Sequence, residues 1–375
     1  MSLFHPAGSG GGDRLPANGV GGGASPSGAR SARILVTGAG GFIGGVVADL
    51  LASRGHEVTA LVRRGEPADG PQPPRRGIEV VEADLLDPRS LADVGLDRGF
   101  DGVCHLAALT RVRQSRAEPL RYFETNVTGT VNLLAVLDRG VAAGGPPPVV
   151  VFGSTGTVYG DPGSAPVPES RPAEPVHAYG ASKLAAEHAI AHQAATGRIG
   201  AVVLRCFNVS GGVPGHVDRD DTRIIPAALL VAAGRTDSFR INGDGRALRE
   251  YVHVRDAAEA YALALGAVPP GEWRVYNLGS GSGVSVNDVL AAVERVTGRP
   301  VRREFAPPVA EPRALVIDSG RIRAELGWLP RHSTLDQIIS DAWRWSLLRG
   351  PLGRTGGGRG DGTGTHTDVR STAPL

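Results

Sequence analysis

The sequence predicts an α/β fold, a doubly wound parallel sheet of the Rossmann type with a smaller C-terminal lobe. Three observations lead to this class. Short apolar runs alternate with amphipathic stretches from Ile34 to Phe207, a glycine-rich turn follows the first run, and the alternation ends after Asn208. Strands alternating with helices indicate parallel pairing, with helices on both faces of the sheet.

The predicted elements follow one another in a regular order. Strands are predicted at Ile34–Thr37, Glu57–Val62, Ile78–Glu82, Gly102–Leu106, Val149–Gly153 and Ala201–Phe207. Helices are predicted at Phe42–Ser53, Pro119–Arg139 and Tyr179–Ala195. Another helix is predicted to begin at Asp256, because Asp256 and Glu259 have capping-box spacing with Asp256 as the N-cap.

Composition and rhythm predict the domain boundaries. Residues 1–31 and 349–375 are rich in small and polar residues and predict disordered tails. Residues 32–207 predict a dinucleotide-binding domain, to which 249–279 return. Residues 208–248 and 280–348 predict a substrate-binding lobe over the carboxyl edge of the sheet.

Charge, hydropathy and cysteine content exclude several classes of function. Among 375 residues, 40 basic and 38 acidic side chains give a net charge of +2, which argues against a nucleic-acid partner. No apolar run approaches the ~18 residues of a membrane span, and the start of the chain lacks the apolar region of a signal peptide. Cys104 and Cys206 lie in strand-like runs, which indicates buried thiols in a reducing cytoplasm and no metal site.

The segment RILVTGAGGFIGG, residues 33–45, predicts a phosphate-binding loop. Glycines at such a turn let the backbone approach a pyrophosphate, which then rests on the helix N-terminus. The predicted cofactor contacts here are Gly38, Gly41, Phe42, Ile43 and Gly44.

The end of the second strand bears on the choice between NAD and NADP. An acidic residue there binds the ribose 2′-OH of NAD, whereas a nearby arginine accommodates the 2′-phosphate of NADP. This chain has Val62, Arg63 and Arg64, which favours NADP unless both arginines are merely solvated. Asp84 either contacts the adenine or ends its strand.

Tyr179 and Lys183 predict a catalytic pair. They lie four residues apart in a predicted helix, and Lys183 is the only lysine, so 39 of the 40 basic residues are arginine. An ammonium beside a phenol lowers the phenol pKa from about 10 and allows general acid–base catalysis. The alternative is an ordinary surface pair.

Two hydroxyls are predicted to lie near this pair. Ser154 and Thr155 end a buried strand, at the edge where open α/β sheets bind ligands. A hydroxyl there can bond to the reacting oxygen and share its proton with Tyr179.

Seven motifs in order resemble the extended short-chain dehydrogenase/reductase family, and most of all its UDP-galactose 4-epimerases. They are TGAGGFIG (37–44), HLAA (105–108), NVTGT (126–130), STGTVYG (154–160), YGASK (179–183), RCFNVSG (205–211) and REYVHVRDAAEAY (249–261). The resemblance covers residues 32–345.

The resemblance implies roles for individual residues. Tyr179 is the implied catalytic base, Lys183 its partner and Thr155 the assisting hydroxyl, with Ser154 as a neighbour and possible substitute. Asn126 is implied on the nicotinamide side, and Asn208 and Arg249 on the substrate phosphates. The remaining implied cofactor contacts are Leu85, Leu106, Ala107 and Ala108. A homodimer through helices around 118–139 and 179–195 is also implied.

Departures from the family pattern leave alternatives open. Gly156 and Thr157 replace the Asp-Glu pair of the 4,6-dehydratases, which argues against elimination of water. Pro308 stands where epimerases have an arginine, so the nucleotide of the substrate stays open. The leading hypothesis is a nucleotide-sugar 4-epimerase, and the second is an NADP-dependent reductase of a 4-keto nucleotide sugar. A nucleotide-sensing regulator is the non-enzyme alternative, but such a protein would not need Tyr179 and Lys183.

Overall fold

The computed structural model describes residues 31–63, 77–163, 166–309 and 312–347. The predicted tails, apart from Ser31, lie outside the described residues, and so does Arg64. No helix in these ranges is long and apolar enough to cross a membrane.

The described chain alternates strands and helices as far as β6 and then forms shorter elements. The strands are β1 (Arg33–Thr37), β2 (Glu57–Val62), β3 (Ile78–Glu82), β4 (Gly102–His105), β5 (Val149–Thr155), β6 (Gly200–Cys206), β7 (Asn208–Ser210), β8 (Gly212–Val213), β9 (His216–Val217), β10 (Phe239–Asn242), β11 (Leu248–His253), β12 (Trp273–Leu278), β13 (Gly283–Ser285), β14 (Arg303–Ala306) and β15 (Ala314–Leu315). The helices are α1 (Phe42–Ser53), α2 (Pro88–Asp93), α3 (Val112–Ala117), α4 (Pro119–Phe123), α5 (Gly129–Ala142), α6 (Ala178–Ala195), α7 (Ile224–Ala232), α8 (Val254–Ala264), α9 (Val286–Thr297), α10 (Gly320–Leu326) and α11 (Leu335–Leu347).

A seven-stranded parallel sheet confirms the predicted fold class. Its order is β12-β6-β5-β4-β1-β2-β3, so the direction of winding reverses between β1 and β4. Ligands of open α/β sheets bind at the carboxyl ends of the strands beside such a reversal. The glycine-rich turn after β1 lies at this point.

Helices cover both faces of the sheet because its central strands are apolar on both sides. One buried cluster includes Val47 of α1, Ala257 of α8 and Val151 of β5. The opposite cluster includes Leu133 of α5 and Ile190 of α6. A strand buried on both faces reads as a continuous apolar run, which is why β1, β2 and β4 to β6 were predictable.

Beyond β6 the chain forms a smaller sheet centred on β11. Strand β11 pairs with β13 and β15, and its far end pairs with β7. Helices α7, α9 and α11 form a separate apolar core around Leu229, Leu290 and Ile338. Of the predicted return segment, α8 and β12 pack with the main sheet, whereas the residues of β11 belong to the small sheet.

Two local predictions are wrong. Asp256 is not an N-cap: His253 caps α8 by accepting the Arg255 N–H at 3.0 Å, and Asp256 lies in the first turn. The helix predicted from Pro119 to Arg139 is interrupted by a π-helical turn, Glu124–Thr128, and continues to Ala142.

Glu250 on β11 joins three segments of the chain. Its buried carboxylate accepts hydrogen bonds from the N–H of Gly281, the N–H of Ile317 at 3.1 Å and the hydroxyl of Ser280 at 3.4 Å. We expect Glu250→Ala to lower the free energy of unfolding by about 3 kcal/mol, because the buried Ile317 N–H and the partly buried Gly281 N–H lose their acceptor. Urea denaturation measures this. Glu272→Ala, at an exposed ion pair with Arg274, should change it by less than about 1 kcal/mol, and equal effects would contradict the assignment.

Candidate functional site

The turn between β1 and α1 is shaped to hold a diphosphate. Gly38 has a φ of +70°, and a Cβ there would lie 2.7 Å from the Ala107 nitrogen. A Cβ on Gly44 would lie 2.2 Å from the Gly38 carbonyl oxygen. Helix α1 begins after Gly41 without a side-chain cap, which leaves N–H groups of the first turn for an anion. Phe42 and Ile43 form that turn, so the donor set fits a dinucleotide phosphate.

The segment after β4 lies against this turn. The N–H of Ala107 donates to Thr37 Oγ1 at 3.2 Å, and Leu106 N–H bonds to the Thr37 carbonyl at 3.3 Å. His105 bridges Thr37 and Thr130, at 2.7 and 2.9 Å. Burial, helped by the charge of Lys183, lowers the pKa of His105 to about 3. His105 is therefore a neutral structural residue, and Ala108 continues the same loop.

The residues predicted for the adenosine side lie at or just after the ends of β2 and β3. Val62 lies beside the glycine turn, with its Cγ1 3.7 Å from where a Gly40 Cβ would stand, and Arg63 follows it. Asp84 uses one carboxylate oxygen to accept the Leu86 N–H at 2.9 Å. The Leu85 carbonyl accepts from Asn132 at 2.8 Å. The described end of β2 carries no carboxylate.

Helix α6 places Tyr179 and Lys183 on its buried face. The Lys183 ammonium lies 3.8 Å from the centre of the Phe152 ring, and only 2% of the residue is exposed. Burial lowers the pKa of Lys183 to about 7, and the Glu187 charge opposes this by raising it.

The phenol of Tyr179 is also strongly affected by burial. Burial raises the pKa of Tyr179 to about 12, against a hydrogen bond with Thr155 and the charge of Arg223, which both lower it. Tyr179 therefore holds its proton at neutral pH and releases it only when a positive charge or a strong donor favours the phenolate.

The two hydroxyls at the end of β5 point to different partners. Thr155 lies beside Tyr179, and its Oγ1 also accepts the Thr157 N–H at 3.2 Å. Ser154 instead donates its hydroxyl to the Glu187 carboxylate. The structure therefore brings Thr155 to the phenol of Tyr179 and Ser154 to the carboxylate of Glu187.

Asn126 is buried and bonded on both ends of its amide. Its oxygen accepts the Leu109 N–H at 2.8 Å, and its nitrogen donates to the Leu109 carbonyl at 3.1 Å and to Ser182 at 3.0 Å. It fastens the loop after β4 to helix α6.

The two predicted substrate residues lie on β7 and β11. Asn208 donates its amide to the Glu250 carbonyl at 2.8 Å, and β7 pairs with the end of β11. Arg249 donates to the carbonyls of Leu248 and Pro312, at 2.8 and 3.1 Å.

Charged residues that act on Tyr179 and Lys183 were missed by the sequence analysis: Arg223 lowers the pKa of Tyr179, and Glu187 raises the pKa of Lys183. Arg223 is bonded to Asp218 at 3.0 Å, and Arg111 lies 3.4 Å from Asp220. Glu187 and Arg205 form a buried ion pair at 2.5 Å. The signal for this pair was present in the sequence: Glu187 continues the spacing of Tyr179 and Lys183, and Arg205 interrupts an apolar strand.

Comparisons with known proteins agree on one family. The model of the NAD dependent epimerase/dehydratase family matches residues 34–279. The UDP-glucose 4-epimerase of Streptomyces lividans is 39% identical, with 84% of this chain and 96% of the relative covered. That of Corynebacterium glutamicum is 37% identical over 85% and 97% of the two chains.

Solved structures give the same result. The UDP-glucose 4-epimerase of Bifidobacterium longum, a complex with NAD⁺ and UDP, has a TM-score of 0.76 and 27% identity, covering 84% of this chain and 98% of that one. The enzyme of Brucella ovis in complex with NAD has a TM-score of 0.76 and 32% identity, with the same coverage.

The glycine cradle predicts the effect of one added methyl group. We expect Gly44→Ala to weaken dinucleotide binding about 10- to 100-fold, the worth of one charge-assisted hydrogen bond, because its Cβ displaces the Gly38 carbonyl. Titration of the full chain with NAD and with NADP measures the affinities. Gly266→Ala, where a Cβ meets nothing within 4 Å, is the control. Unchanged binding in Gly44→Ala would refute the cradle.

Proposed function

The chain belongs to the NAD-dependent epimerase/dehydratase family, and from that premise we propose that it is a nucleotide-sugar 4-epimerase that uses NAD. The observation that carries this proposal is the placement of Tyr179, Lys183 and Thr155 at the sheet edge that also holds the glycine cradle. The named relatives act on UDP sugars, so UDP-glucose and UDP-galactose are the proposed substrate pair.

Tyr179 is the proposed acid–base group. Its phenolate takes the proton of the sugar 4-hydroxyl while C4 gives up a hydride, which leaves a 4-keto sugar. The keto sugar turns over, C4 regains the hydride on its other face, and Tyr179 returns the proton to the oxygen. Bound NAD supplies the acceptor and donor of that hydride. Arg223 and Thr155 favour the phenolate form of Tyr179 that this reaction requires.

Lys183 and Thr155 assist Tyr179 from two sides. Lys183, as a compact ammonium, is the proposed donor to the nicotinamide ribose hydroxyls, where a planar guanidinium fits poorly. Thr155 bonds with the reacting oxygen. Ser154, which donates to Glu187, acts indirectly through that carboxylate.

The remaining site residues divide between cofactor and substrate. For the cofactor, the proposed diphosphate contacts are Gly38, Gly41, Phe42, Ile43 and Gly44; the adenosine side is Arg63, Asp84 and Leu85; the nicotinamide side is Leu106, Ala107, Ala108 and Asn126. For the substrate diphosphate they are Asn208 and Arg249, whose guanidinium would exchange carbonyl partners for phosphate oxygens. Residues 32–207 form the proposed cofactor domain, with α8 and β12 returning to it, and 208–248 and 280–348 the substrate lobe.

A net reductase with the same catalytic residues is separated from an epimerase by its need for cofactor. An epimerase returns its hydride and works without added NAD(P)H, whereas a reductase consumes one cofactor per turnover. The curated relatives and the solved structures described above are epimerases, which favours the first reading over the second.

Removal of the Tyr179 hydroxyl tests the proposed mechanism. We expect the full chain to interconvert UDP-galactose and UDP-glucose without added nicotinamide, and Tyr179→Phe to slow this about 1,000-fold by removing the acid–base group. A coupled assay for UDP-glucose measures the rates. Tyr276→Phe, whose hydroxyl bonds Glu325 at 2.7 Å on α10, is the matched control. Equal rates in the two variants would exclude Tyr179 as the acid–base group.

We infer a homodimer from the helices α4, α5 and α6. Leu120 is 82% exposed, and Phe123 and Val131 are also large apolar residues open to water on the same run. We expect light scattering to give twice the 38.8 kDa chain mass, and Leu120→Glu to lower it toward one chain. Leu329→Glu, at an exposed leucine elsewhere, should not. A monomeric parent chain would refute the inference.

We also infer a reducing, cytoplasmic location. Cys104 and Cys206 are both free, and burial raises the pKa of each thiol. Unpaired thiols, one of them fully buried, fit a reducing compartment. Fractionation of cells that produce the chain tests this.

A further inference from the structure

A buried ion pair, Glu187 with Arg205, lies on the same face of α6 as Tyr179 and Lys183. Tyr179, Lys183 and Glu187 are spaced by four residues along α6, so their side chains succeed one another on its buried face. Glu187 is 2% exposed, as is Lys183. Charged groups at this depth persist only when they are paired.

Arg205 holds the Glu187 carboxylate from the neighbouring strand β6. Its Nη2 donates at 2.5 Å and its Nε at 3.1 and 3.2 Å to the two oxygens, a forked arrangement that fixes the carboxylate plane. The hydroxyl of Ser154 on β5 donates to the same carboxylate. Ser154 and Arg205 are register partners across β5 and β6, so Glu187 bonds both strand ends to the helix.

Arg205 is itself held in place by Tyr159 and, through it, by Asn277. Its Nη1 donates to the Tyr159 hydroxyl at 3.1 Å, and that hydroxyl donates to Asn277 Oδ1 at 2.8 Å on β12. The guanidinium carbon also lies 4.9 Å from the centre of the Tyr159 ring. The network therefore reaches across three strands of the main sheet and leaves the carboxylate little freedom to move.

We propose that Glu187, held by Arg205 and Ser154, is a positioning residue for Lys183: its carboxylate, one helical turn away on the same buried face, keeps the ammonium charged. The proposal rests on the proposed function of Tyr179 and Lys183. Phe152 covers one side of the ammonium, and a ring face alone compensates a buried charge only in part. The Glu187 carboxylate, one turn along the helix, supplies the opposite charge.

The direction of the effect follows from the charges. Burial lowers the pKa of Lys183 to about 7, and the Glu187 charge raises it. Loss of the Glu187 charge therefore lowers the pKa of Lys183 further. As pH rises, Lys183 then loses its proton at a lower pH than it does in the parent chain. If the reaction needs the ammonium, the alkaline limb of the rate profile moves to lower pH with it.

The sole lysine makes this directly measurable. Full-length protein labelled with ¹³Cε-lysine has one lysine side chain to titrate by NMR, independently of activity. We expect Glu187→Gln to lower the Lys183 titration midpoint by about 1 pH unit, the effect of one nearby opposite charge. The alkaline limb of kcat should move in the same direction.

Matched variants separate charge from structure. Asp138→Asn removes another arginine-paired carboxylate, bonded to Arg198 at 2.8 Å, and should leave the midpoint unchanged. If Glu187→Gln does not fold because Arg205 is left unpaired, Glu187→Met combined with Arg205→Met removes both charges and should still lower the midpoint. A folded variant without Glu187 that titrates like the parent would overturn the proposal.

The two proposals fail differently. A parent chain without epimerase activity whose midpoint still depends on Glu187 would refute the function and leave the positioning role standing. An active parent chain whose Lys183 midpoint does not depend on Glu187 would refute the positioning role and leave the proposed function standing.

Discussion

The positive charge of Lys183, buried between a helix and the central sheet, is the constraint on which the rest of the site depends. A charge in that position requires a nearby negative group, and Glu187 is placed four residues further along α6. Glu187 in turn requires donors that are equally buried. Arg205 and Ser154 provide them from β6 and β5, and Tyr159 and Asn277 fix Arg205. Each buried polar group below the site thus needs a further buried partner, and this series begins at the Lys183 ammonium.

The same constraint explains why the phenol of Tyr179 lies where it does. Tyr179 is one turn before Lys183 on a helix that β5 and β6 hold through Glu187, so its hydroxyl is set relative to Thr155 at the end of β5. Burial opposes ionisation of this phenol, and Thr155 and Arg223 favour it. The site can therefore keep Tyr179 neutral until a substrate hydroxyl and the bound cofactor complete its surroundings.

Much of the main sheet was predictable because its signal is local. Strands such as β4 and β5 are buried on both faces, so their apolar runs stand out, and α1 follows a glycine turn whose geometry admits no side chain at Gly44. Strand β12 was missed because Trp273 and Arg274 begin it at the sheet edge and break the apolar pattern. Asp256 has the spacing of a cap, but its carboxylate binds His332 and Ser333, partners far along the chain that local spacing does not reveal.

The choice of lysine at position 183, in a chain that otherwise uses arginine for every basic residue, follows from the shape of its surroundings. An ammonium is compact enough to lie 3.8 Å from the Phe152 ring centre with a carboxylate one turn away, whereas a guanidinium is broader and planar. The neighbouring Arg205 shows the opposite case: it uses both the Nε and Nη2 edges to hold a carboxylate and a third nitrogen to hold a phenol. The two residues are not interchangeable, because one position needs a small mobile donor and the other needs a rigid fork. A compact ammonium therefore suits the position against the Phe152 ring, and a planar guanidinium suits the position that holds the Glu187 carboxylate.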